Sequence, residues 1–95
     1  MKVTQSRSFM KRVKKFKKQE KQVLDSQVRQ IIKDPEIGQE KRGVLKGVLV
    51  HKFKINAIQY LLAYRIRDKE ILELIMIGPH ENYYRDLEKY MKDRR

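Results

Sequence analysis

Apolar residues recur along the first third of the chain at helical spacing. Phe9, Met10, Val13 and Phe16 form one stripe, and Val23, Leu24, Val28, Ile31 and Ile32 form a second. Side chains three and four residues apart share one face of a helix, so each segment predicts an amphipathic helix whose stripe packs in the core. Ser6 or Ser8 stands where an N-cap hydroxyl accepts from a backbone N–H of the first turn. The stripe slips between Lys18 and Gln22, which predicts a break there and an αα-hairpin. The second helix should end at Asp34-Pro35, because the residue before a proline avoids the α region. Lys2–Gln5 reads as a short first strand.

From Ile37 to Gly47 the periodicity lapses, and Gly38, Gly43 and Gly47 mark a loop. The period then changes to two. Val48–Ile55, Ile58–Ile66 and Ile71–Ile77 read as strands rich in β-branched and aromatic residues. Turns at Asn56-Ala57 and Arg67–Glu70 join them into an antiparallel meander. Gly78-Pro79 ends the sheet, and His80–Met91 reads as a final helix with Tyr83, Leu87, Tyr90 and Met91 on one side. The order β-α-α-β-β-β-α predicts an α+β domain spanning residues 1–95. An N-terminal helical hairpin packs on a small antiparallel sheet, with the helices on one face and the other face left to bind something.

Strand parity sorts the two faces. Leu49, His51, Phe53 and Ile55 look like the core set of the first long strand, so Lys52 and Lys54 project together from the other side. In the next strand Tyr60, Leu62, Tyr64 and Ile66 are the larger apolar set, which places Arg65 on the face of the two lysines. In Ile71–Ile77 both parities are apolar, and parity does not choose between them.

With 95 residues the chain builds one thin core. Its 24 Lys and Arg against 12 Asp and Glu leave a formal charge of +12, a field that implies a polyanionic partner, nucleic acid or acidic protein. The excess is concentrated near the start, where Lys11, Lys14, Lys15, Lys17, Lys18 and Lys21 are accompanied by one acid, Glu20. There is no Cys, which excludes a disulfide scaffold, a thiolate zinc site and a Cys nucleophile. No apolar run approaches the ~20 residues of a membrane span, and the start lacks the apolar stretch of a signal peptide. A cytoplasmic protein without a membrane partner is expected.

The remaining chemistry is sparse. No HxxxH or HxH pair suggests a metal, no Gly-rich loop cradles a phosphate, and no elbow surrounds a serine. Lys52 and Lys54 place two ammonium groups roughly 7 Å apart along one strand, suited to gripping a phosphate. A bare Lys-x-Lys is more often an ordinary solvated face. Tyr83, Tyr84 and Tyr90 offer stacking surfaces for unpaired bases or, alternatively, helix packing. His80 follows the Gly-Pro break near the end of the sheet.

In the order and spacing of these pieces the chain resembles the RelE/ParE superfamily of bacterial toxins from toxin–antitoxin operons. The resemblance runs through Asp34-Pro35-Glu36-Ile37-Gly38, Leu45-Lys46-Gly47, His51-Lys52-Phe53-Lys54 and Tyr60-Leu61-Leu62-Ala63-Tyr64-Arg65. It closes on Ile77-Gly78-Pro79-His80-Glu81-Asn82-Tyr83-Tyr84-Arg85. RelE-like members enter the ribosomal A site and cut mRNA without metal. ParE-like members share the fold but inhibit DNA gyrase and lack the ribonuclease residues.

The resemblance implies roles residue by residue. Lys52 and Lys54 fall on the functional lysines of RelE-like members. Their strand arginine falls on Leu61, and Arg65 is the candidate to replace it. Gly78-Pro79-His80 with Tyr84 fits a Gly-x-His followed four residues on by an aromatic, with Tyr83 competing for the aromatic role. The implied catalytic set is Lys52, Lys54, His80, Tyr84 and Arg65. The six helix lysines, Tyr83 and Arg85 would contact mRNA and ribosomal RNA. No cofactor or metal is implied, and the partner would be an acidic antitoxin in a hetero-oligomer. Two alternatives remain: a gyrase-inhibiting toxin, and a basic RNA-binding protein without catalysis.

Overall fold

The computed structural model describes residues 1–93. Its elements are β1 (Lys2–Gln5), α1 (Arg7–Val13), α2 (Lys18–Lys33), β2 (Gln39–Glu40), a 3₁₀ turn (Gly43–Leu45), β3 (Leu49–Ile55), β4 (Ile58–Arg67), β5 (Ile71–Pro79) and α3 (Tyr83–Asp93). The α+β class and the helical hairpin are as expected. The five strands lie in the order β1-β5-β4-β3-β2. The sheet is mixed rather than wholly antiparallel, because β1 runs parallel to β5 (Val3 opposite Leu72). The two-residue β2 at the far edge has no periodicity to betray it and was not expected. No described helix is long and apolar enough to cross a membrane.

The breaks shift for local reasons. Ser6 is the cap of α1, its Oγ accepting from the Phe9 N–H at 3.0 Å and donating to the Ile75 carbonyl. The hairpin turns at residues 14–17, ahead of the expected Lys18–Gln22. Glu20, the single acid of the basic stretch, accepts from the Lys17 N–H at 2.7 Å and so fixes the start of α2. The last helix starts at Tyr83 rather than His80, since β5 runs on to Pro79 and Asn82 takes a left-handed φ of 59°. Pro79 is tolerated in a strand because β5 has no outer neighbour there, β1 ending opposite Leu74.

The larger correction concerns the faces. α1, α2 and the turn between them cover one side of the sheet through Phe9, Phe16, Leu24 and Ile31 on Phe53, Leu62, Tyr64, Leu72, Leu74 and Ile77. The opposite side is not left open. Tyr83 and Leu87 of α3 pack there with Leu45, Val48, Val50, Leu61, Ala63 and Ile75. Burying each of the large aliphatic side chains is worth about 1.5–3 kcal/mol, so a patch of five of them recruits the amphipathic helix α3. The end of this face carrying Lys52, Lys54 and Gln59 stays exposed.

The parity ambiguity of β5 also resolves. A β-bulge sits opposite Ala63 and Tyr64: Ala63 faces Met76 and Tyr64 faces Leu74, leaving Ile75 as the extra residue. Ile75 and Met76 therefore both lie on the α3 side, and a simple alternation fails in this strand.

Candidate active site

The register brings the expected residues into two parallel rows across one end of the sheet. Lys52 stands opposite Leu61, and Leu61 opposite Gly78. One step along, Lys54 stands opposite Gln59, whose carbonyl accepts the His80 N–H at 3.2 Å. Each row spans two interstrand spacings, about 10 Å between the outer backbones. Lys52, Lys54 and His80 are all exposed. An anion over this end of the sheet meets two ammonium groups on one side and an imidazole on the other.

Tyr84 borders the site and Tyr83 does not. The Tyr84 ring meets His80 edge-on, with centroids 6.3 Å apart and planes at 85°, and is half-exposed. Lys41 Nζ lies 4.8 Å over the same ring, a cation–π contact. Sequence reasoning passed over Lys41, because the loop that carries it has no periodicity. Its neighbour Tyr83 is a correction to the expected stacking role. It is 3% exposed, and its hydroxyl donates to the Met76 carbonyl at 2.6 Å while accepting from the Ala63 N–H at 3.0 Å. These are backbone groups beside the bulge, so Tyr83 repairs the interrupted ladder. Burial pushes its hydroxyl pKa far above the ordinary tyrosine value. Tyr83→Phe leaves both buried groups unpaired and should cost about 1–3 kcal/mol. A urea titration should show a lower midpoint at unchanged slope; an unchanged midpoint would mean that other groups take over the two bonds.

Arg65 shares the face of the lysines but not their site. It lies four residues along β4 from Leu61, about 14 Å at ~3.4 Å per residue. Its Nε and Nη2 both donate to Glu73 Oε1, at 3.1 and 2.7 Å, and Arg67 Nη1 lies 3.8 Å from Glu73 Oε2. The half-exposed Arg65 thus balances the nearly buried Glu73 carboxylate and does not join Lys52 and Lys54.

His51 faces the other way. Its Nε2 lies 2.7 Å from the Gln27 Oε1 of α2, a distance that suits an Nε2–H donor. Its ring stacks on Phe53 at 5.8 Å. Burial lowers its pKa from 6.5. It serves the helical-hairpin side of the core.

The early basic cluster divides. An open groove of about 840 Å³ runs between α1 and α3 along the uncovered part of β5. Lys11, Lys14, Lys15 and Arg85 line it together with Arg7 and Arg12, against two acids, Glu81 and Asp86. Lys17, Lys18 and Lys21 are exposed outside it. Arg7 and Arg12 were visible as charges in the sequence, but only the docking of α1 against β5 turns them towards the groove. Tyr64 closes the opposite side of the fold. Its hydroxyl donates to the Pro35 carbonyl at 2.7 Å and accepts from the Gly38 N–H at 2.9 Å. A Cβ on Gly38 would fall 2.7 Å from that oxygen, which is why the loop after α2 carries glycine here.

Residues 3–88 match the family model described as ParE-like toxin of type II bacterial toxin–antitoxin system. Among solved structures, the chain is similar to a double arginine-to-alanine mutant of the E. coli toxin RelE in the free state. That match has 17% identity and a TM-score of 0.72, covering 98% of this chain and 95% of the other. It is also similar to a chain of the intact E. coli RelBE toxin–antitoxin complex, at 18% identity and a TM-score of 0.66, covering 84% and 96%. The isolated E. coli RelE toxin matches at 18% identity and a TM-score of 0.65, covering 93% and 96%. At such identities the likeness carries the fold alone. No curated protein matches the chain.

Proposed function

The chain belongs to the ParE-like toxin family of type II bacterial toxin–antitoxin systems, and from that premise we propose that it is a ribosome-dependent endoribonuclease that cuts mRNA and so stops translation. The observation that carries the reading is the pair of rows Lys52–Leu61–Gly78 and Lys54–Gln59–His80, which sets two exposed lysines and an exposed histidine around one uncovered end of the sheet.

The reaction these groups support is attack of a ribose 2′-oxygen on the adjacent phosphorus. The 2′-O–P bond forms as the P–O5′ bond breaks. One proton leaves the 2′-hydroxyl and one arrives at the departing 5′-oxygen, giving a cyclic phosphate and a free 5′-hydroxyl. Charge on the non-bridging oxygens rises in the phosphorane-like transition state, and the Lys52 and Lys54 ammonium groups stabilise it there more than in the ground state. His80 carries the proton in one of the two transfers. Tyr84, standing edge-on beside it, stacks an unpaired base and sets the strand's position. Protein cations and an imidazole suffice for these steps, so the proposal calls on no cofactor.

The groove lysines and their exposed neighbours supply affinity for ribosomal RNA by releasing counterions, without reading bases. Charge reversal at Lys14, Lys15, Lys17 and Lys18 should weaken ribosome binding and change the slope of its salt dependence, while the cleavage positions stay where they were. A shifted cleavage pattern would show instead that this segment reads the substrate. The same positive surface suits an acidic antitoxin, and one of the similar structures is a toxin–antitoxin complex. Co-expression with such a partner should neutralise the toxin in the cytoplasm.

The name of the matching family model favours a second reading, in which the toxin inhibits DNA gyrase by binding. Pulse-labelling after induction separates the two. Early loss of protein synthesis supports the nuclease, whereas early loss of DNA synthesis with translation intact overturns it.

A further inference from the structure

We propose that Arg12 is a third cation of the phosphate site, reaching the scissile phosphodiester around the open edge of β5. The proposal rests on the nuclease reading and adds a residue that neither the sequence pattern nor the sheet register assigns.

Gly78 ends the row that begins at Lys52 and passes through Leu61. A Cβ placed on Gly78 would lie 3.6 Å from the Tyr83 ring and 3.9 Å from Arg12 Nη2. The space left by the missing side chain is thus bordered by a guanidinium from a helix that packs on the other side of the sheet. That path exists because β1 stops opposite Leu74 and Ser6 takes the next carbonyl, of Ile75. Beyond that point no described strand covers the outer edge of β5. The middle of the row offers no donor, since Leu61 is apolar and fully buried. Any donor facing Lys52 across the row must therefore come from outside the sheet.

The chemistry suits the position. Arg12 is exposed, and among the described residues its guanidinium forms no hydrogen bond or ion pair. Of the two acids that line the same groove, Asp86 lies 3.7 Å from Arg85 Nε. The donors of Arg12 are unspent, and a guanidinium presents them in a planar fork that matches two oxygens of one phosphate. The lysines act as point charges from one side. Arg12 closes on the non-bridging oxygens from the other, where charge builds as the 2′-O–P bond forms. Lys11, Lys14 and Lys15 lie along the same groove and hold the flanking backbone.

The test is single-turnover cleavage of mRNA on ribosomes, with toxin concentration varied to saturation. Arg12→Ala should lower the saturated rate about 10²-fold, the usual effect of losing one preorganised donor. Arg12→Lys should recover part of the loss. Arg29→Ala, an exposed arginine of α2 outside the groove, should behave as wild type. A second readout separates contact from mere folding. With sulfur in place of one non-bridging oxygen at the scissile phosphate, wild type should discriminate between the two stereoisomers, and Arg12→Ala should lose that discrimination. A saturated rate within about twofold of wild type, or a change confined to the half-saturating concentration, overturns the proposal and leaves the nuclease intact. Failure of wild type itself to cut mRNA overturns both.

Discussion

Alanine at both Lys52 and Lys54 should all but abolish mRNA cleavage. Each lysine faces the same end of the sheet, one step apart along β3, and in the proposed reaction each meets charge that grows only as the reaction proceeds. Loss of one such donor typically costs ~10²–10³ in rate, or about 2.7–4 kcal/mol. The two share one target, so their effects do not simply multiply, and a fall of at least about 10³-fold is expected. Both side chains are exposed, and substitutions at such positions usually change stability by less than ~0.5 kcal/mol. The decisive measurement is the single-turnover rate on ribosomes, with ribosome binding followed in parallel. Binding should weaken far less than the rate. A double variant that remains toxic and blocks DNA synthesis would end the nuclease reading and put the gyrase reading in its place.

His80→Ala should slow cleavage by about 10²–10⁴-fold, the range of a general acid–base contribution. The residue is held by its backbone bonds, and its exposed side chain meets only the edge-on Tyr84 ring among the described contacts. Its N–H bonds to the Gln59 carbonyl and its own carbonyl accepts from the Tyr83 N–H at 3.2 Å, so truncation leaves the turn intact. His51→Gln is the matching control, because His51 is engaged with α2 and lies on the opposite face. If His80→Ala cleaves at the wild-type rate, the proton passes elsewhere, with Glu81 and the lysines next to be tried.

What could be read from the chain alone is what local geometry dictates. A period of 3.6 or two depends only on near neighbours, so both early helices, the three long strands and the side of β3 that carries Lys52 and Lys54 were legible. A serine cap at Ser6 or Ser8, of which the structure uses Ser6, and the Asn56-Ala57 turn, both of whose residues take positive φ, follow from equally local rules. Net charge is additive, so the basic character was plain as well. The order of these pieces sufficed to recognise the toxin superfamily.

What tertiary structure decided lies in contacts between distant segments. The free sheet face disappeared because Val48, Val50, Leu61 and Ile75 could not stay in water, and α3 was the amphipathic element at hand. Tyr83 and Tyr84 are adjacent and chemically alike. The bulge beside Ala63 claims the hydroxyl of one and leaves the other against His80. Arg65 had the right parity and the wrong distance, since parity says which face a residue takes and nothing of how far along the strand it stands. Arg12 belongs to a helix on the far side of the sheet, and only the short reach of β1 opens the edge around which its guanidinium passes. Periodicity sorts residues onto faces because each face repeats within a few residues. Where those faces end, and what comes around their edges, depends on strand lengths and a bulge that no local period encodes.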